Sequence, residues 1–114
     1  MKRFILIGVL ISGSMFAGQK DTFDWQTFNS SQKVAYLMGI ADMASITPRV
    51  AFHFNRKNIT AGEVMSAMDA IYDNPANCKI TTLFMYSIVV LQFNGASEYT
   101  IQKEIEYARN AFSK

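Results

Sequence analysis

One cysteine, one histidine and two prolines are all that the 114 residues contain of those types. The lone Cys78 excludes an intramolecular disulfide framework and any cysteine-rich zinc module. The lone His53 excludes every site that needs two imidazoles. Charge is scarce as well: charged residues make up 18% of the chain and the formal net charge is +2, too little for a nucleic-acid-binding face. No P-loop, dinucleotide-binding glycine pattern or EF-hand spacing occurs, so no metal and no cofactor is assigned. Apolar residues, by contrast, make up 50%, with nine Phe, five Tyr, one Trp and seven Met. That composition excludes a disordered polar chain, and the length fits one domain.

Residues 1–17 read MKRFILIGVLISGSMFA. Lys2 and Arg3 form a positive start, Phe4 to Ile11 an apolar run broken only by Gly8, and Ser12, Gly13 and Ser14 a small-residue stretch. This is the three-part layout of a secretory signal peptide. The apolar run falls short of the roughly 20 residues that span a bilayer, and no Cys follows it to carry a lipid. Cleavage after Ala17 leaves a poor residue, Met15, two places upstream, whereas cleavage after Ser14 satisfies the small-residue rule but shortens the signal. A retained short anchor is the competing reading. With the boundary at Ala17, residues 18–114 form the exported domain. Two of the eleven Lys+Arg leave with the signal, so nine remain against nine Asp+Glu. The exported chain is then neutral, with no electrostatic case for nucleic acid or an anionic membrane.

Four principal helices are predicted beyond a polar start at residues 18–23. Trp25 and Phe28, three apart, share the face of a short helical turn. Asn29 and Gln32 form a capping box for a helix from Ser30. Its apolar positions Val34, Leu37, Met38, Ala41, Met43, Ala44 and Ile46 cover more than one stripe and predict burial on most sides. Gly39 in its middle fits either close approach of another helix or simple tolerance. Thr47-Pro48 stops or kinks it. Residues 49–59 alternate like a strand at Val50, Phe52 and Phe54, but a single strand would have no partner. A short helix followed by a polar loop at Asn55 to Asn58 is therefore preferred. Thr60 and Glu63 form a second capping box for a helix whose Val64, Met65, Met68, Ile71 and Tyr72 make one face, ended by Asp73-Asn74-Pro75. Asn77 to Lys79 read as a connecting loop. Residues 80–94 are nearly all apolar and too long for an ordinary strand, which predicts a central buried helix started by Thr81 or Thr82 and closed by Gly95. Ser97 caps a last helix with a single stripe of Ile101, Ile105, Ala108 and Phe112. The expected fold is all-α: a small single-domain bundle of four main helices plus one or two short ones, after the signal peptide.

Candidate chemistry is thin. Cys78 and His53 lie in separate loops with no nucleophile-positioning motif beside either. Cys78 is expected to be packed in the core, as free Cys behaves as a small hydrophobe, or else to bridge a second molecule; His53 is expected to be exposed. Asp69 and Asp73, four apart on one helix face, form the only paired carboxylates worth weighing for acid–base work, though Asp before Asn-Pro is ordinary turn chemistry. No catalytic residue is assigned and the chain is not expected to be an enzyme. One charged feature stands out: Arg49, His53, Arg56 and Lys57 lie in a stretch with no acid between Asp42 and Glu63. They form a candidate patch for an acidic protein partner, against the plainer reading of a solvated loop.

Trp25-x-x-Phe28, Lys33-x-x-Tyr36-x-x-Gly39-x-x-Asp42, Tyr72-Asp73-x-Pro75-x-Asn77-x-x-Ile80 and Gly95 resemble a pattern of small exported bacterial proteins without assigned activity. The Tyr-x-x-Gly helix after an export signal is also similar to that of Tai-type periplasmic immunity proteins of type VI secretion systems. Those are small helical inhibitors of peptidoglycan amidase toxins, and they usually carry paired cysteines where this chain has Cys78 alone. The resemblance implies an exported, periplasmic or secreted, non-enzymatic protein that binds another protein, with an immunity-type inhibitor of a cell-envelope toxin as its specific form. No inhibitory residue carries over. The alternative is a periplasmic carrier of a small apolar ligand, which needs an enclosed cavity of roughly 300 Å³ or more.

Overall fold

Each long helix starts where a side chain can satisfy its first free N–H groups. The computed structural model describes residues 25–113; the expected export signal over 1–17 and its cleavage point lie outside them. Among the described residues the regular structure is helical throughout, with no strand. Helix α1 spans Ser30–Ala44, α2 Ala61–Tyr72, α3 Thr82–Phe93 and α4 Glu98–Ala111. Short 3-10 turns cover Val50–Phe52 and Pro75–Asn77. Both capping boxes form. Asn29 accepts from the Gln32 amide at 2.9 Å and Thr60 from the Glu63 amide at 3.1 Å, each answered by the reciprocal bond. Thr81 and Ser97 cap α3 and α4 by accepting from the amides of Phe84 and Thr100. Each such cap is worth about 0.5–2 kcal/mol.

Helix α3 is the axis of the bundle. It packs on α2, α4 and the Val50–Phe52 turn, while α1 packs chiefly on α2. Met85, Ile88 and Val89 of α3 are wholly buried, together with Met68 of α2 and Ile80. Full burial of such side chains contributes about 1.5–3 kcal/mol each. Helix α3 ends in a Schellman motif. The Ala96 N–H reaches the Leu91 carbonyl at 3.0 Å and the Gly95 N–H the Gln92 carbonyl at 3.2 Å. That geometry needs Gly95 at φ 93, a region where a Cβ is strained. Helix α4 buries Ile101, Ile105 and Ala108 on the predicted stripe.

Two expectations are corrected, for α1 and Cys78, and one left open, at Gly39, is resolved. Helix α1 is not buried on most sides: only Leu37, Ile40 and Ala44 are buried, while Met38 is 61% exposed and Ile46, in the turn past the helix end, 84%. A helix with one main neighbour can bury only one stripe. A Cβ built on Gly39 meets nothing within 4 Å, so that glycine marks tolerance and not a close approach. Cys78 is not in the core but half-buried, with a free thiol; the Pro75–Asn77 turn buries Asn77 instead.

Trp25 is fully buried and closes one end of the α1–α2 pair. Its ring stacks on Tyr72 at 6.5 Å and meets Tyr36 edge-on at 6.4 Å. Tyr72 finds its polar outlet in the Ile80 carbonyl at 2.6 Å.

Candidate functional site

The stretch from Ile46 to Lys57 leaves α1, turns through Val50–Phe52 and runs along the C-terminal end of α3 as an irregular loop. Its alternation sorts side chains by face. Phe52 and Phe54 are half-buried against Tyr86, with centroids 6.5 and 5.8 Å away, and Phe54 also meets Phe93 at 5.7 Å. His53, between them, is exposed, as are Arg49, Arg56 and Lys57. All four residues of the predicted basic patch therefore face solvent. Burial under these aromatic rings pushes the Tyr86 hydroxyl above its ordinary pKa, because the phenolate would lose its hydration.

One side chain ties the loop to the end of α3. Asn94, the residue that closes α3, accepts from the Asn55 N–H at 2.8 Å and donates to the His53 carbonyl at 3.0 Å. The amide oxygen and nitrogen thus clamp both sides of Phe54, and a flipped amide would put donor against donor. A second tie runs back to α1. His53 Nε2 lies 2.8 Å from the Thr47 carbonyl; a carbonyl only accepts, so that nitrogen carries the proton. The Arg49 N–H reaches Thr47 Oγ1 at 3.4 Å. The His53–Thr47 contact places the basic loop beside Ile46, the most exposed large apolar residue among those described. Basic side chains and an apolar anchor occupy one stretch of surface, on a backbone held from two directions.

The sequence had no route to this pairing. In the sequence Ile46 reads as an apolar position of a mostly buried helix, and Asn94 carries no signal beyond standing before a helix-closing Gly95. Its partners are 39 and 41 residues away.

The other candidates fall elsewhere. His53 is tied to the C-terminal end of α3, whereas Cys78 precedes its N-terminus. The 12-residue helix separates them by about 18 Å at 1.5 Å per residue. Asp69 and Asp73 do share a shallow recess of about 240 Å³ with Trp25 and Lys33. Asp69 is already engaged there: its Oδ1 accepts from Lys33 Nζ at 2.7 Å and from the Trp25 indole N–H at 3.0 Å. The Lys33 amine also stands 5.3 Å from the centre of the Trp25 ring. This set fastens the Trp25 turn to both α1 and α2. Asp73 is exposed and closes α2 through its backbone. Among the described residues no three His, Cys, Asp or Glu side chains gather as a metal site, and no helix is long and apolar enough to cross a membrane.

No family model, curated protein or solved structure matches this chain.

Proposed function

We propose that this is an exported, non-enzymatic helical protein that binds an acidic protein surface through the clamped basic loop and Ile46. The observation that carries the reading is the Asn94 clamp: it fixes the backbone at His53 and Asn55, in the loop where Arg49, His53, Arg56 and Lys57 are exposed and which begins at an 84%-exposed isoleucine. A pre-ordered loop loses little entropy on binding. A desolvated apolar anchor ringed by charge is the usual anatomy of an interface centre and rim. The charges would steer an acidic partner and the isoleucine would fill a pocket on it. The specific form proposed is an immunity-type inhibitor of a cell-envelope toxin. The carrier reading needs an enclosed apolar cavity, whereas two recesses found among the described residues, of about 220 and 240 Å³, both open to solvent.

The test is co-expression with the product of each adjacent gene, sent to the same compartment, reading growth. Rescue of a toxic neighbour by the wild type, lost in Ile46→Asp and in the double variant Arg56→Glu, Lys57→Glu with melting temperatures unchanged, supports the proposal. Rescue that survives both variants rejects this surface. Absence of any toxic neighbour rejects the immunity form. Mass spectrometry of the exported product checks the address, with an N-terminus expected between residues 15 and 20 and an intact membrane-bound Met1 counting against export.

A further inference from the structure

At the opposite end of α3 from the basic loop, a recess of about 220 Å³ lies between the Pro75–Asn77 turn and the end of α4. Pro75 and Ala76 give it an apolar wall, backed by the buried Ile80. Lys79 and Arg109 supply two positive charges, and Cys78, half-buried with a free thiol, also lines it. Among the described residues no carboxylate lines it and neither cation has an ion-pair partner.

The guanidinium is held in place. Arg109 Nε donates to Asn77 Oδ1 at 2.6 Å, and Asn77, only 3% exposed, is itself fixed by donating from Nδ2 to the Ile71 carbonyl at 2.8 Å. A basic residue in the last turn of α4 complements the helix dipole, but that role needs neither the buried asparagine nor the second cation. With Nε occupied, the two terminal NH₂ groups remain to form a fork of donors, the arrangement that matches a planar carboxylate. The apolar wall beside it favours an anion with a short aliphatic body over a fully hydrated inorganic one.

We propose that this recess is a binding site for a carboxylate carried on a short apolar chain, with Arg109 as the fork, Lys79 as the second charge and Pro75 and Ala76 as the seat for the aliphatic part. The assignment stands apart from the partner surface at the other end of α3. The free ligand and the C-terminus of a bound peptide share this chemistry.

Cys78 provides the readout. Iodoacetate and iodoacetamide alkylate a thiolate by the same displacement of iodide and differ in one carboxylate. The iodoacetate-to-iodoacetamide rate ratio at Cys78 is expected to be about tenfold higher in the folded protein than in the same chain unfolded in urea, as an Arg-anchored carboxylate would dictate. Lys79→Gln should lower the ratio several-fold, and Arg109→Gln should return it to the unfolded value. Butanoate should slow iodoacetamide labelling of Cys78, while butanamide and inorganic phosphate should not. A short peptide ending in alanine should protect where its C-terminal amide does not if the site takes chain ends; protection by butanoate alone assigns it to free carboxylates. A folded-state ratio equal to the unfolded one overturns the proposal, as does an elevated ratio that survives Arg109→Gln, or phosphate protection equal to that of butanoate. Should Arg109→Gln fail to melt cooperatively, Lys79→Gln decides, because its side chain is exposed and holds nothing else.

Discussion

Removing the Asn94 amide tests whether the basic loop is held by one side chain. In Asn94→Ala the Asn55 N–H and the His53 carbonyl lose their partners at 2.8 and 3.0 Å. A hydrogen bond of this kind contributes about 0.5–1.5 kcal/mol net. Both backbone groups lie near the surface, where water replaces part of the loss, so the total should be about 1–2 kcal/mol. For a domain of this size each kcal/mol moves the melting temperature by about 4–8 °C, so a drop of about 4–16 °C is expected by circular dichroism. Exchange of the Asn55 amide should rise at least about tenfold, as its protection falls to that of a loose loop. Asn94→Asp separates the two bonds. It keeps an acceptor for Asn55 but sets a carboxylate against the His53 carbonyl, so Asn55 should stay protected while stability still falls. A melting temperature within about 1 °C of wild type, with Asn55 exchange unchanged in Asn94→Ala, would refute the clamp and with it the case for a pre-ordered patch.

Ile88→Asp places an unpaired charge at a wholly buried position of α3 and should abolish cooperative folding, since typical domains hold only about 5–15 kcal/mol; Ser66→Ala, on the exposed side of α2, should stay within about 0.5 kcal/mol of wild type in urea titration. Asp69→Ala strips the Lys33 amine and the Trp25 indole of their shared acceptor; a loss of about 1–3 kcal/mol and a red shift of the single tryptophan's emission are expected, and unchanged emission would show that Trp25 holds its place without it. The raised pKa of Tyr86 fixes a sign: above pH 10 the unfolded chain sheds the phenolic proton before the folded one does, so stability is intact below about pH 10 and falls as pH rises toward the folded value. Tyr86→Phe should therefore lose less stability than wild type between neutral and strongly alkaline pH, measured by denaturant titration.

What was legible in the sequence was what acts over three or four residues. Asn29 with Gln32 and Thr60 with Glu63 set helix starts within a turn of themselves, and Gly95 sets an end because few other residues tolerate its φ. The long apolar run of α3 announced its own burial. What could not be read was which neighbours each face would meet. The apolar positions of α1 cover more than one stripe, yet which of them are exposed depends on how many helices reach it, which no local period records. The Asn94 clamp, the Asp69 tie to Lys33 and Trp25, and the Asn77 support of Arg109 join residues 32 to 44 positions apart. Each uses a polar residue that, in one dimension, looks like ordinary loop or helix surface.

The four caps have a kinetic consequence. Asn29, Thr60, Thr81 and Ser97 each bond an amide three residues ahead, so helix boundaries are specified before any distant part of the chain arrives. Helical bundles whose contacts are mostly local fold in about microseconds to milliseconds, and with a single cysteine no disulfide pairing within the chain can slow the step. Such a chain acquires its shape as readily in a reducing compartment as in an oxidising one. On the proposed export route, delivering it unfolded through a narrow pore would be a race against its own collapse, won only if translocation or a holding chaperone engages the chain first.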